Sequence, residues 1–171
     1  GVCARCLSGQ HSLCRRYLTR GERTDGGCCE RVAVPESHLL PCPLAPSEAA
    51  ALPLALLTAW HMLVGRAHVR PGDRVLVQGG ASGVGSLAIQ VARLHGARVA
   101  ATASTADKRA LCRSLGAEQA WGYDELDRGV RDWTGREGAD IVIEHTGAET
   151  WDRSVRALRW EERALGVGAA P

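Results

Sequence analysis

The sequence predicts an α/β fold built on a doubly wound parallel sheet, with helices covering both faces. Three observations carry that reading. Short apolar runs containing β-branched residues recur from Arg74 onward, and segments of helical period separate them. The first of these runs passes directly into a glycine-rich turn that opens a helix.

Val75-Leu76-Val77 is the first strand of the series. Val84, Leu87, Ala88, Val91, Ala92 and His95 then fall at helical spacing, so 83–95 is an amphipathic helix. Residues 98–102 form a second strand, and 106–115 a second helix stopped by Gly116. Residues 119–121 make a short third strand, 140–144 a fourth after a polar helix, and 164–167 a fifth after a helix over 149–158. Before this series the pattern differs. Residues 1–31 are rich in Cys, Arg and Gly and read as a loop lobe, followed by a short strand over 31–34 that Pro35 closes. The stretch Leu39-Leu40-Pro41-Cys42-Pro43 reads as an extended linker. Ser47 is the expected N-cap of the next helix, Glu48 its acid in the first turn, and Pro53 a kink or break before Val64.

Composition narrows the classes. The 171 residues are 45% hydrophobic and 23% charged with a net charge of +2, enough apolar content for a real core and too balanced for a disordered chain. Lys108 is the one lysine among 21 basic residues, and the arginines are scattered, so no nucleic-acid partner is expected. The longest apolar stretch, 49–64, contains Pro53, Trp60 and His61 and is too short to cross a bilayer comfortably, so no membrane partner is expected either. Six of seven cysteines lie between Cys3 and Cys42 with no secretion signal ahead of them, which points to a reducing, cytoplasmic setting. The chain opens on Gly1 and its one methionine is Met62, so a natural start upstream is expected.

The turn Gln78-Gly79-Gly80-Ala81-Ser82-Gly83-Val84-Gly85 carries the strongest chemistry. Glycines there let the chain turn tightly, let a diphosphate approach the backbone and let helix and strand pack closely. The N–H groups at the helix start then face the anion. This makes the sheet a Rossmann-type dinucleotide site, with Gly80, Ser82, Gly83, Val84 and Gly85 as cofactor residues. Ser82 departs from the fingerprint, which has a glycine there. About 20 residues on, an NAD site places an acid at the end of the second strand. Here Ala103 stands in that place, with Ser104 and Lys108 nearby to supply a hydroxyl and a cation to a 2′-phosphate. NADP(H) is therefore the expected cofactor, and NAD(H) the alternative.

Cys3, Cys6 and Cys14 have the spacing of thiolate ligands to a structural zinc. The fourth ligand is either His11 or a residue upstream of Gly1.

These residues resemble the medium-chain dehydrogenase/reductases, the group of zinc-type alcohol dehydrogenases and quinone oxidoreductases. The likeness runs through Gly1–Cys6 and Cys14, Asp25-Gly26-Gly27, Val34-Pro35, the AAALPLALLTAWHML segment over 49–63, Gly83-Val84-Gly85, Leu115-Gly116-Ala117 and 140–147. The resemblance implies a division into 1–45, the end of a GroES-like catalytic domain with its zinc lobe, and 46–171, an incomplete nucleotide-binding domain. It implies an upstream cysteine as the fourth zinc ligand, leaving His11 a bystander. It also places Thr58 on a helix facing the nicotinamide, Tyr123 near the adenosine end, and Thr146 and Gly147 along the cleft. Two departures matter: Leu54 stands where zinc-dependent members have a catalytic ligand, and 159–163 replaces a Pro-Gly-Gly turn. The implied activity is hydride transfer to or from a small-molecule quinone, enone or carbonyl, in a homodimer or homotetramer. The alternatives are a zinc alcohol dehydrogenase with upstream ligands, or a nucleotide-binding protein without catalysis.

Overall fold

A computed structural model of the chain describes residues 2–166, with side chains described through Trp160. Two compact units emerge, 1–43 and 44–171.

The first unit contains one short helix, α1 (Ala4–Leu7), and single 3-10 turns at His11–Leu13 and Glu36–His38. The strand expected over 31–34 does not form. A strand exists only through ladder bonds to a neighbour, and within this unit's described residues the one ladder contact is an isolated bridge between Arg20 and Thr24.

The second unit opens with α2 (Pro46–Ala51) and α3 (Pro53–Trp60), continued by a π-turn at His61–Arg66. Pro53 does split the helix. Ser47, expected as the N-cap, lies inside α2. Ala45 caps it, Pro46 fills the first helical position, and Glu48 Oε2 reaches back to accept from the Ala45 N–H at 3.3 Å. The helical run Pro46–Arg66 is 21 residues, long and apolar enough by length and composition to cross a membrane, and longer than the expected apolar stretch over 49–64. Part of its apolarity has another cause: Ala59, Met62 and Leu63 are buried in the core against the sheet and its first helix.

From here strands and helices alternate: β1 (Arg74–Val77), α4 (Gly83–Leu94), β2 (Arg98–Thr102), α5 (Ala106–Ser114), β3 (Gln119–Trp121), α6 (Leu126–Thr134), β4 (Ala139–Glu144), α7 (Ala148–Ala157) and β5 (Leu158–Gly166). All four pairings are parallel, in the order β3-β2-β1-β4-β5. Both faces of the central strands are buried. Val75, Val77, Val99 and Ala101 point to a core shared with α4, while Leu76, Ala100 and Val142 point to one shared with Leu126, Val130 and Ala157. The side chains alternate between faces along each strand, and each face has its own helical cover.

The fifth strand begins earlier than the expected 164, and Val167 lies outside the described residues. Leu158 pairs with Ala139, but Ile141 pairs with Arg163, so four residues of β5, 159–162, stand against the single Asp140 of β4. The segment without a Pro-Gly-Gly turn is thus an irregularity within the strand pairing. At the amino-terminal edge of the sheet, Arg74 binds Asp140 through its backbone N–H at 2.8 Å and its guanidinium at 3.1 and 3.2 Å, fixing β1 beside β4.

Candidate functional site

In a parallel sheet whose strand order reverses, the crevice opens beyond the carboxyl ends of the strands on either side of the reversal. Here those strands are β1 and β4. The chain leaves β1 at Gln78 and turns through Gly79, whose φ of +57° favours glycine. Thr102, at the end of β2, holds this turn twice: its hydroxyl accepts from Gly79 N–H at 3.2 Å and its carbonyl from Gly80 N–H at 2.8 Å. Ser82 then caps α4, its Oγ accepting from Gly85 N–H at 3.0 Å. Serine at the middle-glycine position therefore has a structural task, N-capping, that glycine performs without a side-chain acceptor.

The two later glycines differ in what surrounds them. A Cβ on Gly85 would lie 2.4 Å from the Gly79 carbonyl oxygen and 2.8 Å from Gly80 Cα, so the helix and the turn meet there backbone to backbone. A Cβ on Gly83 would meet only Ala55 Cβ, at 3.8 Å. The first N–H groups of α4, at Gly83 and Val84, have no intrachain acceptor among the described residues. An open helix start with free N–H groups suits an anion such as a diphosphate, which is the fit the dinucleotide reading requires.

Beside this turn lies a cleft of about 220 Å³ lined by Gly79, Ala81, Ser82, Ala103, Ser104, Lys108, Tyr123, His145 and Thr146. The fold thus brings together Ser82, Ser104, Lys108, Tyr123 and Thr146, all expected from sequence. Ala103 is buried and sits at the end of β2, where no carboxylate replaces it. Lys108 is exposed in the first turn of α5, and its ammonium has no ion-pair partner among the described residues. Arg109 lies beneath the same loop, donating to the carbonyls of Ala103 and Ser104 at 3.5 Å each. Burial pushes the Tyr123 phenol up, with the Thr102 hydroxyl pulling against it, so Tyr123 stays protonated and keeps a donor. Gly80, Gly83, Val84, Gly85 and Gly147 surround the cleft without lining it, and Gly80 packs against Ala101 and Cys112 instead. Thr58 does not reach it: it is half-buried on α3 and donates its hydroxyl to the Leu54 carbonyl at 2.8 Å.

Sequence reasoning missed the group that shapes the far wall. Glu144 ends β4 only 2% exposed and collects an unusual number of donors. Its Oε1 accepts from Thr146 N–H at 2.7 Å, Thr146 Oγ1 at 2.5 Å and Gly147 N–H at 3.2 Å; its Oε2 accepts from Thr150 at 2.9 Å and Ser154 at 2.5 Å. Burial pushes this carboxyl up, but the donors from Ser154, Thr146 and Thr150 outweigh it and hold the group below the usual glutamate range. Gln78 extends the network, donating to Ser154 at 2.9 Å and accepting from Thr102 at 2.5 Å. A continuous chain of hydrogen bonds therefore joins the Thr146–Gly147 loop to the Gly79 turn. His145 is the other missed residue. Its Nε2 lies 2.7 Å from Ser82 Oγ, while its Nδ1 is buried with no partner, an arrangement that costs about 1–3 kcal/mol. Burial holds the imidazole pKa down against the pull of Glu144, so the ring is neutral at physiological pH. The available sequence signal was an acid closing an otherwise apolar buried strand.

In the first unit, Cys3, Cys6 and Cys14 converge, with all three sulfurs within 4.8 Å of one another. Cys3 Sγ stands 3.6 Å from Cys6 Sγ and 3.8 Å from Cys14 Sγ. Tetrahedral zinc with Zn–S bonds of 2.3 Å needs a sulfur spacing of about 3.8 Å, so three corners of such a site fit. The Cys6 backbone N–H, then its thiol, lowers the Cys3 thiol to about 7, while its sulfur neighbours, Cys14 first, push Cys6 up. His11 is not in the cluster.

A five-stranded parallel sheet with an open helix start at its reversal point defines a nucleotide-binding domain of Rossmann type. The chain belongs to the zinc-binding dehydrogenases, within the medium-chain dehydrogenase/reductase family: the family model of that description matches residues 83–171. A crystal structure of an NAD-dependent alcohol dehydrogenase is similar over 99% of this chain and 51% of its own, with 45% identity and a TM-score of 0.95. The quinone oxidoreductase of Thermus thermophilus, solved also with NADPH, is 44% identical over 85% of this chain and 49% of its own, with a TM-score of 0.76. Crotonyl-CoA reductase of Streptomyces avermitilis is 38% identical over 161 residues, 81% of this chain and 36% of the reductase. The chain spans about half the length of the two solved relatives and about a third of the reductase.

Proposed function

We propose that this chain is the nucleotide-binding part of an NADP(H)-dependent oxidoreductase that passes hydride to or from a quinone, enone or carbonyl substrate. The observation that carries the cofactor choice is the cleft in which Ala103 replaces an acid and Ser104 and Lys108 flank it. A carboxylate there would bind a ribose 2′-hydroxyl and repel a 2′-phosphate; a hydroxyl and an ammonium do the reverse. The quinone oxidoreductase solved with NADPH supports the same side, and the NAD-dependent alcohol dehydrogenase supports the alternative.

NADPH would supply the hydride from its nicotinamide. The chain's own work is binding and orientation. Free N–H groups at Gly83 and Val84 receive the diphosphate, Gly80, Ser82 and Gly85 shape the turn, Tyr123 closes the adenosine side, Thr146 and Gly147 flank the cofactor, and Thr58 on α3 faces its nicotinamide. Leu54, 79% exposed on α3, offers no metal-binding atom at the position where zinc-dependent relatives carry a ligand. That favours charge on the substrate oxygen being met by hydrogen bonds.

Lys108→Ala is expected to weaken NADPH binding by about 1–2 kcal/mol and leave NADH nearly unchanged, the pattern of one charge-assisted phosphate contact. Titration of the parent and Lys108→Ala with both cofactors reads this directly. Equal affinity of the parent protein for NADH and NADPH would remove the NADP(H) assignment.

Cys3, Cys6 and Cys14 are proposed as three ligands of a structural zinc, completed by an upstream cysteine. The full-length protein is then expected to hold one zinc per chain at this lobe, and Cys6→Ser to lower that occupancy and the lobe's protease resistance together. Metal analysis showing full occupancy in the Cys6→Ser protein would contradict it.

A further inference from the structure

We propose that His145 is a dinucleotide-contacting residue whose imidazole takes up a proton when a diphosphate occupies the glycine turn. The inference rests on the placement of the dinucleotide at this turn. His145 directly follows β4 and lines the cleft between Ser82 and Thr146. Its Nε2 would stand 3.3 Å from a Cβ on Gly79, so the ring lies over the turn itself. Ser82 joins the two parts: its Oγ accepts from the Gly85 N–H at 3.0 Å and lies 2.7 Å from His145 Nε2. The other ring nitrogen is buried and unpartnered in the neutral ring and in the imidazolium alike, so the proton exchange concerns Nε2, which faces Ser82.

A diphosphate bound at the Gly83 and Val84 N–H groups brings negative charge within one hydroxyl of the ring. Ser82 can then donate its proton to a phosphate oxygen while accepting from Nε2–H. Nearby negative charge favours the imidazolium, opposing the burial that keeps the ring neutral beforehand. The proton comes from solvent and no covalent bond changes. The charged groups facing the ring act in both directions. Glu144, on the same strand, favours the proton; Lys108, on α5 across the cleft, disfavours it. Tyr123 lines the same cleft uncharged, and the Gly79–Ser82 turn presents no ionisable side chain.

The test is calorimetric titration of the full-length protein from about pH 5.5 to pH 8, in buffers of different ionisation enthalpy. One linked proton steepens affinity by at most about tenfold per pH unit. The 2′-phosphate of NADPH itself titrates near pH 6, so NADH serves as the clean probe. For the parent protein, NADH binding is expected to take up protons and to tighten several-fold as pH falls across this range. His145→Gln is expected to bind NADH with no proton uptake and a flat profile, and NADPH with only the slope of the phosphate. NADH binding to the parent without proton uptake overturns the proposal, as does a His145→Gln protein that keeps the parent's slope. Failure of the underlying reading looks different: neither cofactor gives saturable heat at any pH, and both assignments fall together.

Discussion

Gly85→Val is expected to be the most destabilising single change in the nucleotide-binding unit, lowering stability by about 3 kcal/mol or more. The first atom of the new side chain would already stand 2.4 Å from the Gly79 carbonyl oxygen, a backbone atom held by its own turn. Relief requires α4 to move off the sheet, and α4 carries Ala88, Ile89, Val91 and Ala92 of the main core. Moving the helix loosens those contacts together with the Ser82 cap. Gly85→Ala should show most of the same loss, because Cβ alone makes the clash. Urea unfolding of the three proteins checks the order. Retention of parental stability in Gly85→Val would mean that the turn and the helix are not in backbone contact.

Glu144 gives the second large effect. Glu144→Ala is expected to lose about 3 kcal/mol at neutral pH, because it leaves the buried hydroxyls of Thr150 and Ser154, and the partly buried donors of Thr146 and Gly147, without their acceptor. The effect depends on pH with a definite sign. The folded pKa is held below the ordinary glutamate value, so the stabilisation is complete above that value and is lost as pH falls through the folded one. The stability gap between parent and Glu144→Ala should therefore be widest near neutrality and narrow below the carboxylate range. Asp140 and Glu118, whose pKa values are also lowered, weaken with acid in both proteins and cancel from the difference. Denaturant melts of both proteins from neutral pH down to about pH 3.5 measure the gap. A gap that stays constant or widens with acid would mean the network does not depend on the carboxylate charge.

Much of the sheet was legible because its signals are local. β1, β2 and β4 are short apolar runs with sharp edges, and α4 has an amphipathic period. The bounds at 98–102 and 119–121 agree with the structure, and those at 140–144 differ by one residue. Local pattern failed where partners decide. Val32 and Val34 suit a strand, yet a strand needs a neighbour. Ser47 suits a cap, yet proline at position 46 starts the helix two residues earlier. β5 begins at Leu158 because Ala139 supplies a partner there, although the residues between them and the regular ladder break its register.

The site divides along the same line. Glycines and a missing acid are visible in sequence because backbone geometry and charge at fixed spacing define them. Glu144 and His145 become meaningful only when β4 lies beside β1, which puts Ser82 from 63 residues earlier against the imidazole. Thr58, expected by resemblance alone, lies outside this cleft on α3 with its hydroxyl donated to the Leu54 carbonyl.

The central claim is that a dinucleotide diphosphate binds at the start of α4. Gly83→Asp tests it most directly, because the space over Gly83 is open to a side chain: a Cβ there meets nothing closer than Ala55 Cβ at 3.8 Å. The substitution is therefore expected to fold, while placing bulk and negative charge where the diphosphate would lie. Thermal melts of parent and variant, each with and without saturating NADPH, give the answer. The account requires a clear upward shift with NADPH in the parent and little or none in Gly83→Asp. An equal shift in both proteins would put the diphosphate elsewhere and contradict the assignment of this turn.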